Sequence, residues 1–198
     1  MIVLGLTGSI GMGKSEAAKS FVQQGVAVFD SDATVHQLFK TNEKLIAEIK
    51  DKFPAAVKND IVDRARLGAD VFGNVEKTKQ LEALVHPLVI SEQQVFLNKH
   101  KALNSSIVVF DIPLLFETGA DKRVDKTLVI SAPRQVQEER VLKRPDMTQE
   151  KFEAILGQQM PDKDKCARAD YIIKSDGGIE AMQKDIKALI GQLLVEAE

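Results

Sequence analysis

The chain has 198 residues with 27 basic and 29 acidic side chains, a net charge of −2, and hydrophobic and charged fractions of 44% and 28%. That balance belongs to a soluble globular protein with one α/β core and room for an inserted subdomain; it excludes disorder and a global basic field for nucleic acid or a membrane surface. The single cysteine, Cys166, excludes a disulfide framework and a cysteine-built zinc site, and no apolar run approaches the ~20 residues of a membrane span.

Met1 leads into an apolar run without a charged leader, so the expected location is the cytoplasm. Ile2-Val3-Leu4-Gly5-Leu6 predicts a buried strand. It runs into Gly8-Ser9-Ile10-Gly11-Met12-Gly13-Lys14-Ser15, a complete G-x-x-x-x-G-K-[ST] phosphate loop at the start of a helix. Such a loop surrounds crowded phosphate charge with backbone N–H groups, and Gly8, Gly11 and Gly13 let the backbone come close. Lys14 then reaches the β- and γ-phosphates as a point charge, and the Ser15 hydroxyl ligates the Mg²⁺ that bridges them.

The helix stripe Ala17, Ala18, Phe21 and Val22 closes at Gly25, and Val26-Ala27-Val28-Phe29 predicts the second strand of a βαβ unit. It ends in Asp30-Ser31-Asp32, where ligands of doubly wound sheets collect; each carboxylate either serves the site or caps a helix beginning near Ala33. From Thr34 to about Leu103 the pattern is almost wholly helical, punctuated by Pro54, Gly68, Gly73 and Pro87, with His86 at the break before Pro87. A stretch this long between strands predicts an inserted helical subdomain that chooses the second substrate.

Ile107-Val108-Val109-Phe110-Asp111 has the form of a Walker B strand, with Asp111 available to a Mg²⁺ shell. After the apolar turn Ile112-Pro113-Leu114-Leu115-Phe116-Glu117, Thr127 to Ser131 predicts a fourth strand and Pro133 opens a helix. On it Arg140 and Arg144 stand four apart and share a face, which suits either a solvated surface or a polyphosphate. Pro145-Asp146-Met147-Thr148 breaks the chain before a second helix from about Gln149 to Met160, the helical hairpin of a nucleotide-closing lid. Tyr171 to Lys174 is a fifth strand, turned by Asp176-Gly177-Gly178 into an amphipathic terminal helix. His36, His86 and His100 show no metal-ligand spacing.

With these stretches assembled, the chain resembles the dephospho-coenzyme A kinases, a branch of the adenylate-kinase-like P-loop kinases. The matching stretches include Leu6-Thr7 with the phosphate loop, Asp30-Ser31-Asp32, Asp63-Arg64 leading to Val71-Phe72, and His86-Pro87-Leu88-Val89. They continue with Asp111 through Glu117, Gln137 with Arg140 and Arg144, Gln159-Met160-Pro161, and Ala169-Asp170-Tyr171. The resemblance implies a single P-loop kinase domain over 1–198, with a five-stranded parallel sheet. Its core covers about 1–33, 104–139 and 162–198, its acceptor-binding insert about 34–103, and its lid about 140–161.

It also implies transfer of the γ-phosphoryl of ATP to the ribose 3′-hydroxyl of dephospho-coenzyme A, the last step of coenzyme A synthesis, with Mg²⁺ accompanying ATP. By the same resemblance Asp32 is the proton acceptor, and Lys14 and Arg140 stabilise the transferring group. ATP contacts fall on Gly8, Gly11, Met12, Gly13, Lys14, Ser15, Glu16 and Arg144, and acceptor contacts on Arg64, His86, Asp111 and Leu114. Ser15, with Asp32 or Asp111, would face the metal. The chain departs from the family at Glu16, where Thr is usual, near Ile155, where many members carry arginine, and near Ser175, where many carry asparagine. ATP and dephospho-coenzyme A are the implied partners, with no nucleic acid, no membrane, and no oligomeric state indicated. A different small-molecule P-loop kinase is the main rival, because only the insert would distinguish it. A GTPase is disfavoured because Asn98-Lys99-His100-Lys101 lacks the aspartate of the guanine-reading N-K-x-D element. A non-catalytic ATP-binding regulator is disfavoured by Asp32, Asp111, Arg140 and Arg144 occurring together.

Overall fold

The computed structural model describes residues 1–197, which divide into two compact units: residues 1–29 with 100 onward, and residues 30–99. In chain order the elements are β1 (Ile2–Thr7), α1 (Lys14–Gln23), β2 (Ala27–Asp30), α2 (Ser31–Thr41), α3 (Glu43–Lys52), β3 (Val57–Lys58), β4 (Ile61–Val62), α4 (Arg64–Val71) and α5 (Val75–Ala102). They continue with β5 (Ile107–Asp111), β6 (Lys126–Ser131), α6 (Arg134–Leu142), α7 (Gln149–Leu156), α8 (Asp162–Arg168), β7 (Tyr171–Lys174) and α9 (Ile179–Glu196).

The first unit is built on a five-stranded parallel sheet in the order β2-β5-β1-β6-β7. Its inner strands are apolar on both faces because helices cover both, which is why they read as uninterrupted hydrophobic runs. Leu4, Leu6, Val109, Leu128 and Ile130 are buried against Phe21 of α1 and Ile186 and Leu193 of α9. Each such side chain contributes about 1.5–3 kcal/mol by leaving water. β1 lies between β5 and β6, so the chain reverses its direction of growth there and opens a crevice beyond the strand ends. The register Leu6↔Asp111 sets the last residue of β5 beside the end of β1, where the phosphate loop begins.

Asp170 fastens the entry to β7: its Oδ2 accepts from the Thr127 N–H at 2.8 Å and the Thr127 hydroxyl at 2.7 Å. Burial opposes its charge, but the Thr127 hydroxyl and N–H outweigh that and hold its pKa below the usual carboxylate range. Its place in the Ala169-Asp170-Tyr171 stretch thus has a structural reason.

The second unit has its own core of Leu38, Phe39, Leu45, Ile49, Phe53, Leu67 and Val85. It departs from the almost wholly helical expectation in two places. Val57-Lys58 and Ile61-Val62 pair as a small antiparallel hairpin, and Asn59 and Asp60 between them both take positive φ, 52° and 56°. A two-residue connection of that kind demands left-handed residues, which Asn and Asp tolerate best. Pro87 does not break the helix: α5 runs through it for 28 residues, and Leu81, Leu84 and Val85 before it and Leu88 and Val89 after it all pack on the same core. That continuous stripe outweighs the one backbone hydrogen bond a proline removes.

Candidate active site

The phosphate loop spans the turn between β1 and α1, and Lys14 is the first residue of the helix. Two of its glycines are required by space. At Gly8 a Cβ would stand 2.8 Å from the Ile130 carbonyl oxygen of β6, a backbone atom that cannot step aside. At Gly11 φ is +78°, and a Cβ would stand 2.5 Å from Val141 Cγ2 and 3.0 Å from the Gln137 carbonyl oxygen. Gly11→Ala is therefore expected to cost about 2 kcal/mol or more through backbone strain and overpacking, read as a shifted urea midpoint. An unchanged midpoint would show that the loop can relax without strain.

The loop is also held by side chains from both roots of the helical hairpin. Gln137 Nε2 of α6 donates to the Ile10 carbonyl at 2.8 Å, and the Ile10 N–H donates to Gln159 Oε1, just past α7, at 3.1 Å. One peptide position is thus gripped from each side. Within the hairpin the Arg134 guanidinium lies 4.4 Å over the Phe152 ring and pairs with Glu153, which docks α7 on α6.

Lys14 Nζ lies 2.6 Å from Asp111 Oδ1, which the β1/β5 register places beside the end of β1. Ser15 follows Lys14 in the first turn of α1. Glu16, the family departure, pairs with Lys19 at 2.7 Å on an exposed face. The turn after β5 is tied back to β1 by the Thr7 hydroxyl, which donates to the Pro113 carbonyl at 2.9 Å; Leu114 there is half-buried. At the end of that turn Glu117 Oε1 accepts from the Met160 N–H at 2.8 Å and lies 2.9 Å from the ammonium of the fully buried Lys165, off the hydrogen-bond axis.

Arg140 is anchored by Ser175, one of the departures from the family pattern. Its Nη1 donates to Ser175 Oγ at 2.8 Å and its Nη2 to the Ser175 carbonyl at 2.7 Å. Arg144 does not share its helix face: α6 stops at Leu142, and Arg144 stands exposed in the following turn. The residue before a proline avoids helical backbone, and here Pro145 follows Arg144 directly. Asp146, at φ 58°, completes the reversal.

In the second unit Asp30 and Asp32 separate into different roles. Asp30 Oδ1 accepts from the Ala33 N–H at 2.8 Å, so Asp30 is the cap, and α2 starts at Ser31, two residues earlier than expected. Asp32 is exposed in the first turn of α2. Arg64 opens α4 behind its cap Asp63, and His86 lies exposed in the middle of α5. The structure thus brings together the loop glycines, Met12, Lys14, Asp111 and Arg140 in the first unit, while Asp32, Arg64 and His86 belong to the second.

Among the described residues no three His, Cys, Asp or Glu side chains cluster as a ready-made metal site. One hydroxyl at Ser15 and one carboxylate at Asp111 fit a Mg²⁺ that keeps waters and takes its other ligands from phosphate oxygens. Cys166 is half-buried, and burial followed by the nearby Asp162 carboxylate raises its pKa, so it stays a protonated, unreactive thiol.

A profile of the family described as dephospho-CoA kinase matches residues 2–181. The chain belongs to the dephospho-CoA kinase family. Members of this family are ATP-dependent phosphotransferases. A Mesorhizobium japonicum dephospho-CoA kinase is 50% identical over 98% of this chain and 97% of its own length, and one from Agrobacterium fabrum is 47% identical over 98% of each. Among solved structures, a Thermus thermophilus protein superposes with a TM-score of 0.83 at 34% identity, covering 97% of both chains. The Campylobacter jejuni dephospho-CoA kinase gives 0.73 at 26%, covering 99% of this chain and 98% of its own. A shikimate kinase from Acinetobacter baumannii, at a TM-score of 0.55 and 16% identity, shares the P-loop kinase fold alone. No helix among the described residues is long and apolar enough to cross a membrane.

Proposed function

We propose that the chain transfers the γ-phosphoryl of Mg·ATP to the ribose 3′-hydroxyl of dephospho-coenzyme A, in the cytoplasm. A bond forms between the 3′-oxygen and the γ-phosphorus, the bond to the β–γ bridging oxygen breaks, and the hydroxyl proton goes to a carboxylate. What supports the reading most is Arg140, a second cation tied beside a complete phosphate loop that already holds Lys14. ATP binding alone needs no such pair, whereas a transferring phosphoryl spreads charge over its equatorial oxygens.

In this reading the loop N–H groups and Lys14 hold the β- and γ-phosphates, and Lys14 leaves Asp111 to do so. Arg140 adds charge where it develops, and Arg144 supplements it from the turn beyond α6. Ser15 and Asp111 would hold Mg²⁺, with Asp32 as the alternative carboxylate; when bound, the ion neutralises phosphate charge and orients the chain of phosphates. Asp32, in the first turn of α2 and not engaged as its cap, accepts the proton. Residues 34–103 form the acceptor-binding insert and about 140–161 the lid. Phosphoryl transfer is mostly positioning and charge stabilisation, so this set is chemically sufficient.

Arg64→Ala and His86→Ala are expected to raise the KM for dephospho-coenzyme A about tenfold or more each, the scale of one lost charge-assisted contact, with little change in the KM for ATP. Initial rates with each substrate varied in turn check this; a change confined to ATP would move the acceptor site elsewhere. The reaction itself is tested by ADP release from Mg·ATP with dephospho-coenzyme A, AMP, adenosine, phosphopantetheine and shikimate as separate acceptors. Sustained release with dephospho-coenzyme A alone is expected, and a faster rate with any other acceptor would overturn the reading.

A further inference from the structure

The contacts of Ser175 reach in two directions at once. It is the residue after β7, its N–H donates to the Ser131 carbonyl at the end of β6 at 2.9 Å, and it is 4% exposed, so its backbone is fixed by the sheet. Its hydroxyl accepts from Arg140 Nη1 at 2.8 Å and donates to the Met12 carbonyl of the phosphate loop at 2.7 Å. Its own carbonyl accepts from Arg140 Nη2 at 2.7 Å. A Cβ on Gly13 would stand 3.2 Å from Ser175 Cβ, so the loop and this serine are in direct contact.

We infer that Ser175 is a positioning residue that aims Arg140 and one loop N–H together at the transferring phosphate. The Met12–Gly13 peptide is planar and trans, so its C=O and N–H point in opposite directions. With the Met12 carbonyl drawn toward Ser175, the Gly13 N–H is turned away from it, to the other side of the loop. A hydroxyl that donates to a carbonyl is polarised into a better acceptor, and the guanidinium gains by that polarisation. Ser175 offers the Arg140 guanidinium two acceptors, its hydroxyl and its carbonyl, one for each terminal nitrogen. Removing the hydroxyl leaves Arg140 with one tether about which the guanidinium can swing, while the loop loses the bond that orients its peptide. The inference rests on Arg140 acting on the transferring phosphoryl, as proposed above.

The test is a double-mutant cycle of Ser175→Ala and Arg140→Ala, with kcat, the KM for ATP and the melting temperature measured for each protein. Ser175→Ala is expected to lower kcat roughly tenfold, the scale of one hydrogen bond to a charged group, and to change the KM for ATP less than about threefold. In the Arg140→Ala background the same change should cost clearly less than tenfold in kcat, because only the bond to the Met12 carbonyl is then left to lose. Ser175→Cys replaces the hydroxyl by a larger, weaker donor and acceptor, so an intermediate kcat is expected of it, and it serves as the second variant if the alanine variant proves unstable. A normal kcat in both Ser175 variants beside an impaired Arg140→Ala would overturn the inference alone. So would a tenfold loss that persists without Arg140. A normal kcat in Arg140→Ala would overturn the inference together with the role of Arg140 on which it rests.

Discussion

Lys14→Ala is expected to lower kcat by about 10²–10³-fold, because a pre-placed donor to developing charge is worth about 3–4 kcal/mol in the transition state. The ammonium is the compact charge that reaches the transferring phosphoryl, and no neighbouring side chain can replace it along the same path from the first turn of α1. The substitution should also lower stability by about 1.5–3 kcal/mol, since the Asp111 carboxylate, 8% exposed, loses a cation at 2.6 Å. Both effects are read from one preparation by initial rates and thermal melting. Turnover close to wild type would remove the phosphate loop from the reaction.

Asp32→Asn should lower kcat by roughly 10²-fold or more, the usual scale for a general base, while leaving the fold almost as stable as before. The structure makes that separation clean because Asp30, not Asp32, accepts the Ala33 N–H that caps α2. Asp32 contributes to the helix only through its charge in the first turn, which is worth less than about 1 kcal/mol. Asp30→Ala gives the opposite pattern: about 1 kcal/mol of stability lost with the cap, and a much smaller change in kcat. If Asp32→Asn keeps more than about a tenth of wild-type kcat, less than about 1.4 kcal/mol has been lost and Asp32 is not the base.

The phosphate loop and the five strands were legible because their physics is local. The inner strands β1, β5 and β6, buried on both faces, leave unbroken apolar runs, and the edge strands β2 and β7 are short apolar runs between turn residues. A phosphate loop needs fixed residue types at fixed spacing. Long-range contacts leave no such trace. Ser175 lies 35 positions from Arg140 and 163 from Met12, and a lone serine after a strand carries no sign that it joins them. The grip of Gln137 and Gln159 on Ile10 is hidden in the same way, although both glutamines stand in stretches that mark the family. Other differences came from weighing local signals against one another. Pro87 read as a break although the apolar stripe of α5 continues across it, and Pro145 should have ended α6 before Arg144. Asn59-Asp60 is a hairpin signal, but the paired strands are two residues each and too short to show alternation.

The most direct measurement is to identify the product. The protein is incubated with Mg·ATP and dephospho-coenzyme A, and the nucleotide is recovered for mass spectrometry and phosphorus NMR. A single added phosphate, appearing as a new phosphomonoester coupled to the ribose 3′ proton and matched mole for mole by ADP, is the predicted result. ADP formed while dephospho-coenzyme A is recovered unchanged, or phosphate carried at any other position, would contradict the assigned reaction.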